Sequence, residues 1–113
     1  MHLTPPVIQI ALDFPTIEEA ISVGGIGVQA GVDWLEVGTP LIVSQGVNTI
    51  GQLKRAYPSY PVLADYKTMD SGGKNVMLTH QQGGQVMTVC GNAGVTVDTA
   101  RTVTGCTIPL RFA

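Results

Sequence analysis

The sequence predicts an α/β domain of parallel βα repeats, and three observations carry that reading. Four short apolar runs, Val7 to Leu12 (VIQIAL), Trp34 to Val37 (WLEV), Val62 to Ala64 leading into Asp65 (VLAD) and Val86 to Cys90 (VMTVC), begin 27, 28 and 24 residues apart. Each run is nearly continuous, which is the habit of strands covered on both faces in parallel sheets. The stretches between them are long enough for the crossover helix that parallel strands require.

The first connection opens on Thr16-Ile17-Glu18-Glu19. This is a capping box, in which the Thr hydroxyl accepts from the third helical amide while Glu19 reaches back. Gly24, Gly25 and Gly27 fall in the same helix. Each costs about 1 kcal/mol relative to Ala, so the second half of this helix is expected to fray. The second connection, Val47 to Tyr57, sets Val47, Ile50, Leu53 and Ala56 or Tyr57 on one stripe and is stopped by Pro58. The third, about Gly73 to Gln82, carries Val76, Met77 and His80 and meets Gly83-Gly84 as a C-terminal cap. Beyond Asn92 the β-branched stretch GVTVDTARTVTG fits a weak helix or a strand.

Composition narrows the function classes. With 44% hydrophobic residues, 12% charged residues and a net charge of −2 in 113 residues, the chain is a single globular unit rather than a disordered one. Its six basic residues are scattered, so no stripe exists to follow a phosphate backbone and nucleic acid is not an expected partner. The absence of a leader pattern or of an apolar run near ~18 residues predicts a cytoplasmic protein with no membrane association. Cys90 and Cys106 are too few for a zinc site and read as small buried hydrophobes.

Several motifs fail on context. Gly25-Ile26-Gly27-Val28-Gln29-Ala30 matches the dinucleotide pattern but lies late in a helix instead of between a strand and a helix start. Gly73-Lys74 lacks the following Ser or Thr and the upstream glycine of a phosphate loop. His2 and His80 have no ligand partners at metal spacing, and Trp34 reads as a core residue.

The informative constellation is acidic. Asp13 follows the first run, Glu36 lies near the end of the second and Asp65 terminates the third. That end of a βα sheet is where ligands bind. Lys67, two residues past Asp65, falls on the same face by strand alternation, and Asp70 follows in the next loop. Five of the 14 charged residues therefore gather at one rim. Taken singly, each has a structural reading: a turn residue at Asp13, an edge charge at Glu36, an ion pair between Asp65 and Lys67, a helix cap at Asp70. Together they point to function, and carboxylates without His or thiolate select a hard cation, Mg²⁺.

ALDF at 11–14, VDWLEVGTPLI at 32–42 and LADYKTMDSGG at 63–73 resemble the 3-hexulose-6-phosphate synthase family, within the orotidine 5′-monophosphate decarboxylase superfamily. Asp65, Lys67 and Asp70 fit its D-x-K-x-x-D signature, and GTPLI is typical of its hexulose-phosphate and keto-gulonate-phosphate branches. The likeness runs over 7–93, and 94–113 is a divergent tail of the same single domain, 1–113.

The resemblance implies the first half of a TIM (β/α)₈ barrel and an aldolase that condenses ribulose 5-phosphate with formaldehyde through a Mg²⁺-stabilised enediolate. Glu36 and Asp65 match its metal ligands. Lys67 matches the lysine that stabilises the enediolate oxygen, Asp13 an acid contacting substrate and Lys67, and Asp70 an acid that reaches the neighbouring subunit's site in a homodimer. Alternatives are a 3-keto-L-gulonate 6-phosphate decarboxylase, which shares Glu36, Asp65 and Lys67, and a non-catalytic half-barrel assembly module. A complete barrel needs about 200–250 residues, so these 113 are expected to leave two open sheet edges. They also lack the phosphate-binding loops after the seventh and eighth strands. By themselves they are expected to show little aldolase activity.

Overall fold

The computed structural model describes residues 6–93 and 110–112. Five parallel strands form one sheet in sequential order: β1 (Gln9–Leu12), β2 (Trp34–Val37), β3 (Val62–Thr68), β4 (Val86–Val89) and β5 (Leu110–Phe112). Four helices occupy the crossovers: α1 (Ile17–Ala30), α2 (Thr39–Gln45), α3 (Asn48–Ala56) and α4 (Gly72–Gln81). A short 3₁₀ turn, Gly91–Ala93, follows β4. The four apolar runs are the first four strands. Among the described residues, no helix is long and apolar enough to cross a membrane.

Alternation along each strand separates two faces. Leu12, Leu35, Val37, Val62, Ala64, Met87 and Val89 face the helices and pack with Ile17, Ala20, Leu41, Ile50, Leu53 and Val76 in the main core. Trp34, Leu63 and Val86 face the other way and form a second cluster with Val7. Further along the same strands, that face carries Glu36, Asp65 and Thr88, nearer the carboxyl ends. Apolar residues thus close the base of this face and polar ones its rim. Trp34 is buried, as its composition class suggests.

Thr16 is the N-cap of α1 and accepts from the Glu19 amide at 3.4 Å. Its hydroxyl also donates to the Glu19 carboxylate at 3.1 Å, so Glu19 closes the box on the side chain and not on the backbone. The expected fraying does not occur: α1 runs unbroken to Ala30 and ends at Gly31, whose φ of +89° suits glycine. Tertiary packing is the reason. A Cβ at Gly24 would stand 3.3 Å from the Tyr57 ring, and one at Gly25 2.9 Å from its hydroxyl. Their absence lets Tyr57 lie against the helix and donate to the Ile21 carbonyl at 2.6 Å. The loss in helix propensity is offset by burial of an aromatic ring.

Two further readings are corrected. The stretch after β2 contains an unforeseen helix, α2, begun by Gly38 as N-cap with Pro40 in its first turn, a position proline favours. The third run does not end at Asp65, because β3 continues to Thr68 through a bulge against β4. On α4 Val76 is buried together with Gly72 and Thr79, while Met77 and His80 are exposed. The tail supplies a fifth strand at Leu110–Phe112 beside β4. The rest of GVTVDTARTVTG, Cys106 and His2 lie outside the described residues. Gly25–Ala30 is helical throughout, and the dinucleotide motif has no basis there.

Candidate active site

Glu36 and Asp65 lie on neighbouring strands, on the face turned away from the helices, where both are buried at 9% and 6% exposure. Leaving a carboxylate so enclosed is costly unless it is hydrogen-bonded, and each has found donors. The Gln9 side chain on β1 donates to Glu36 Oε2. Around Asp65 three donors converge: Thr88 to Oδ1 at 2.6 Å, Thr39 to Oδ2 at 3.0 Å, and the Lys67 ammonium to Oδ2 as an ion pair. Thr39 Oγ1 also stands 2.8 Å from the Asp65 carbonyl, so its one hydrogen is shared between that oxygen and Oδ2, and it accepts from Lys67 Nζ at 3.1 Å.

These surroundings push the two acids apart. Burial raises the pKa of Glu36; Gln9 opposes this, and the charges of Asp65 and Asp13 add to it. Burial also acts to raise that of Asp65, but the hydrogen bonds from Lys67, Thr88 and Thr39 outweigh it and hold the carboxyl below its usual range. The hydrogen bond to Asp65, helped by the charges of Asp65, Glu36 and Asp13, raises the pKa of Lys67 despite some desolvation. Lys67 therefore stays an ammonium at neutral pH. Such divergence among adjacent groups is a mark of functional sites.

Asp13 lies exposed at the end of β1, close enough that its charge is felt by both Glu36 and Lys67. A Cβ on Gly38 would overlap Asp13 Oδ1 and stand 2.8 Å from the Leu12 carbonyl, so this glycine is what lets β1 and the start of α2 meet. Asp70 sits apart. It is exposed in the β3–α4 loop, where its Oδ1 accepts from the Ser71 amide at 2.7 Å. Of the five sequence-selected residues, four share one electrostatic neighbourhood, and among the described hydrogen bonds and ion pairs Asp70 does not join them.

Sequence reasoning passed over Gln9, Thr39 and Thr88. The available signal was a polar residue interrupting an apolar run: Gln9 within VIQIAL and Thr88 within VMTVC. On a strand, such a residue must have a partner on its own face.

The donor set can be tested against a hard cation. Among the described residues, no group of three or more His, Cys, Asp or Glu gathers as a ligand cage. A hexahydrated-type cation such as Mg²⁺ needs only one or two carboxylates and keeps several waters. Glu36 and Asp65, oxygen donors whose charges oppose each other, fit that requirement. In the arrangement described here the Lys67 ammonium supplies the neutralising charge at Asp65.

Burial of Glu36 has a measurable cost. Folding raises its pKa, so the folded chain binds this proton more tightly than the unfolded one. The stabilising share is fully present below the ordinary carboxylate range and is lost as pH rises through the raised value. Glu36→Gln removes the charge and keeps an oxygen for Gln9. In metal-free buffer at about pH 7 it is expected to stabilise the chain by about 1 kcal/mol in urea unfolding, a common size for relieving such a functional compromise. The gain should vanish toward pH 4, near the ordinary carboxylate value. An equal gain at both pH values would show that charge burial is not its source.

Comparison with known proteins places this geometry. The family model for orotidine 5′-phosphate decarboxylase / HUMPS matches residues 6–104, past Ala93 where the likeness read from the sequence ends. Over 84 residues the chain is 38% identical to the 3-hexulose-6-phosphate synthase of Bacillus subtilis (strain 168), covering 74% of this chain and 40% of that protein. It is 42% identical over 67 residues to the 3-keto-L-gulonate-6-phosphate decarboxylase UlaD of Escherichia coli (strain K12 / DH10B), covering 59% and 31%. The crystal structure of the 3-keto-L-gulonate-6-phosphate decarboxylase from Vibrio cholerae superposes with a TM-score of 0.90 at 29% identity, over 96% of this chain and 51% of that one. The chain thus spans about 40% of the Bacillus protein's length, and its sheet and helices are the first half of a TIM barrel. The motifs, the strand order and a match over most of its length agree: this chain belongs to the orotidine 5′-phosphate decarboxylase / HUMPS family.

Proposed function

We propose that this chain carries one half of a sugar-phosphate lyase site of the 3-hexulose-6-phosphate synthase type, condensing ribulose 5-phosphate with formaldehyde. The observation that carries the reading is the Lys67 ammonium held against Asp65 beside buried Glu36, at the carboxyl ends of the strands. Aldol chemistry at a ketose requires loss of a proton next to the carbonyl, and negative charge then grows on oxygen. A fixed ammonium at that place favours the transition state over the ground state. Lys67 is fit for the task because Asp65 keeps it protonated. Thr39 and Gln9 hold the two carboxylates in place, and the charge of Asp13, just past β1, acts on Glu36 and Lys67.

Glu36 and Asp65 are the residues that would hold Mg²⁺. Bound there, the cation supplies further positive charge for substrate oxygens. Asp70, exposed on its loop, is free to approach a second subunit, in keeping with a homodimer.

The decarboxylase reading draws on the 42% identity to the Escherichia coli enzyme, and it uses the same Glu36, Asp65 and Lys67. Both activities need charge stabilised on an enediolate-like oxygen. Titration calorimetry with Mg²⁺ and a ribulose 5-phosphate analogue tests the common core. Binding of the analogue that depends on Mg²⁺ is expected, and no binding at millimolar ligand would favour a non-catalytic assembly module.

A further inference from the structure

Thr88 lies on β4, outside the strand-end charges and their motif. In the β3–β4 ladder Ala64 pairs with Met87, and the next pair is Thr68 with Val89. Four residue steps on β3 thus answer two on β4, and Asp65, Tyr66 and Lys67 all face the single residue Thr88. An irregularity of this kind takes backbone groups out of the ladder and re-aims side chains. Within it Lys67 has a φ of +46°, in the left-handed region that a lysine enters only when its surroundings hold it there. The Lys67 amide, turned out of the ladder, donates to Thr88 Oγ1 at 2.8 Å. A hydroxyl carries one hydrogen, and that of Thr88 goes to Asp65 Oδ1 at 2.6 Å. Regular bonding resumes where the Cys90 amide donates to the Thr68 carbonyl at 3.0 Å.

We propose that Thr88 is a positioning residue whose hydroxyl ties the left-handed backbone of Lys67 to the carboxylate of Asp65, so that the bulge and the Lys67–Asp65 pair stand or fall together. The chain runs in one sense, from amide to hydroxyl to carboxylate, and each bond polarises the next. Thr39 approaches Asp65 from the other side, but it meets Lys67 at Nζ, the end of a flexible stem. Thr88 meets the backbone, where the direction of that stem is set. Without the hydroxyl, both the Lys67 amide and Asp65 Oδ1 lose a partner, nothing repays the left-handed conformation, and the residue relaxes toward extended backbone. The ammonium is then aimed elsewhere. The bearing of this on catalysis rests on the function proposed above, whereas the structural link does not.

Amide hydrogen exchange by NMR on the 113-residue chain, with Thr88→Val and Thr88→Ser, separates the two. Val keeps the β-branched shape and lacks the hydroxyl; Ser keeps the hydroxyl. In Thr88→Val the Lys67 amide is expected to exchange about tenfold faster, the size of one lost hydrogen bond, while Leu63 and Val86 are unchanged. Thr88→Ser should stay close to wild type. Mg²⁺ affinity by calorimetry should weaken about tenfold in Thr88→Val and return in Thr88→Ser, as for loss of an outer partner of a ligand. Lys67 protection in Thr88→Val within about twofold of wild type overturns the proposal, as does a Ser variant as unprotected as Val. Should Thr88→Val not fold, Thr88→Ala takes its place, and equal protection in Ala and Ser overturns it likewise. A wild-type chain that binds no Mg²⁺ counts against the metal reading alone and leaves the exchange result to decide on Thr88.

Discussion

Asp65→Asn is expected to abolish Mg²⁺ binding, with affinity falling by at least about 100-fold in calorimetry, since even outer partners of a ligand are worth about 10–100-fold. Among the described residues no third carboxylate, imidazole or thiolate gathers with Glu36 and Asp65 as a ligand cage, so neither has a ready substitute. Asp65 is also the more fully ionised of the two, because Lys67, Thr88 and Thr39 favour its charged form while burial disfavours that of Glu36. An amide in its place keeps the shape and an acceptor for Thr88, so the fold should survive. Glu36→Gln should lose the metal as well, and the two variants should differ in stability: the first removes a charge with three donors, the second a charge whose burial is opposed. Affinity for Mg²⁺ close to wild type in either variant would remove that residue from the site.

Lys67→Ala is expected to lower kcat by about 10²–10³-fold in an assembly that completes the barrel around these strands, with KM changing far less, the pattern of a group aimed at charge that appears only in the transition state. Its side chain is more than half exposed, so the ion pair with Asp65 contributes little to stability. Thermal unfolding of the variant should accordingly stay close to that of the wild-type chain. An effect confined to KM would instead make Lys67 a substrate-binding residue. The contrast with Trp34 is instructive: that side chain is buried with Leu63 and Val86, and cutting it to Ala would act on stability first.

Much of this site was legible in the chain because strands impose a simple geometry. Four apolar runs of nearly regular spacing dictate parallel βα units, and an acid placed at the end of a run must emerge at the carboxyl rim. Asp13 and Glu36 follow from that rule, whereas Asp65 reaches the same face from within β3, three residues before the strand ends. Lys67 was assigned to the face of Asp65 by alternation; it does reach Asp65, but through a bulge and a left-handed backbone that no period-two rule contains. Gln9, Thr39 and Thr88 were passed over because a neutral side chain declares its role only when its partner is known.

The sequence by itself determined the order and direction of the strands, the capped start of α1 and the rim on which the charges fall, since these depend on residues near one another in the chain. Only the tertiary structure decided that the glycine-rich half of α1 stays helical, that GTPLI begins α2 and that a short segment of the tail adds β5. It also decided how one carboxyl is held below its usual pKa while burial raises that of its neighbour. Lys67 apart, which is two residues from Asp65, the physical reason is the same: the partners stand 21 to 36 positions away, as Thr88 does from Lys67 and Tyr57 from Ile21. Contacts at such separation are set by packing, against which local propensities of about 1 kcal/mol per residue are small.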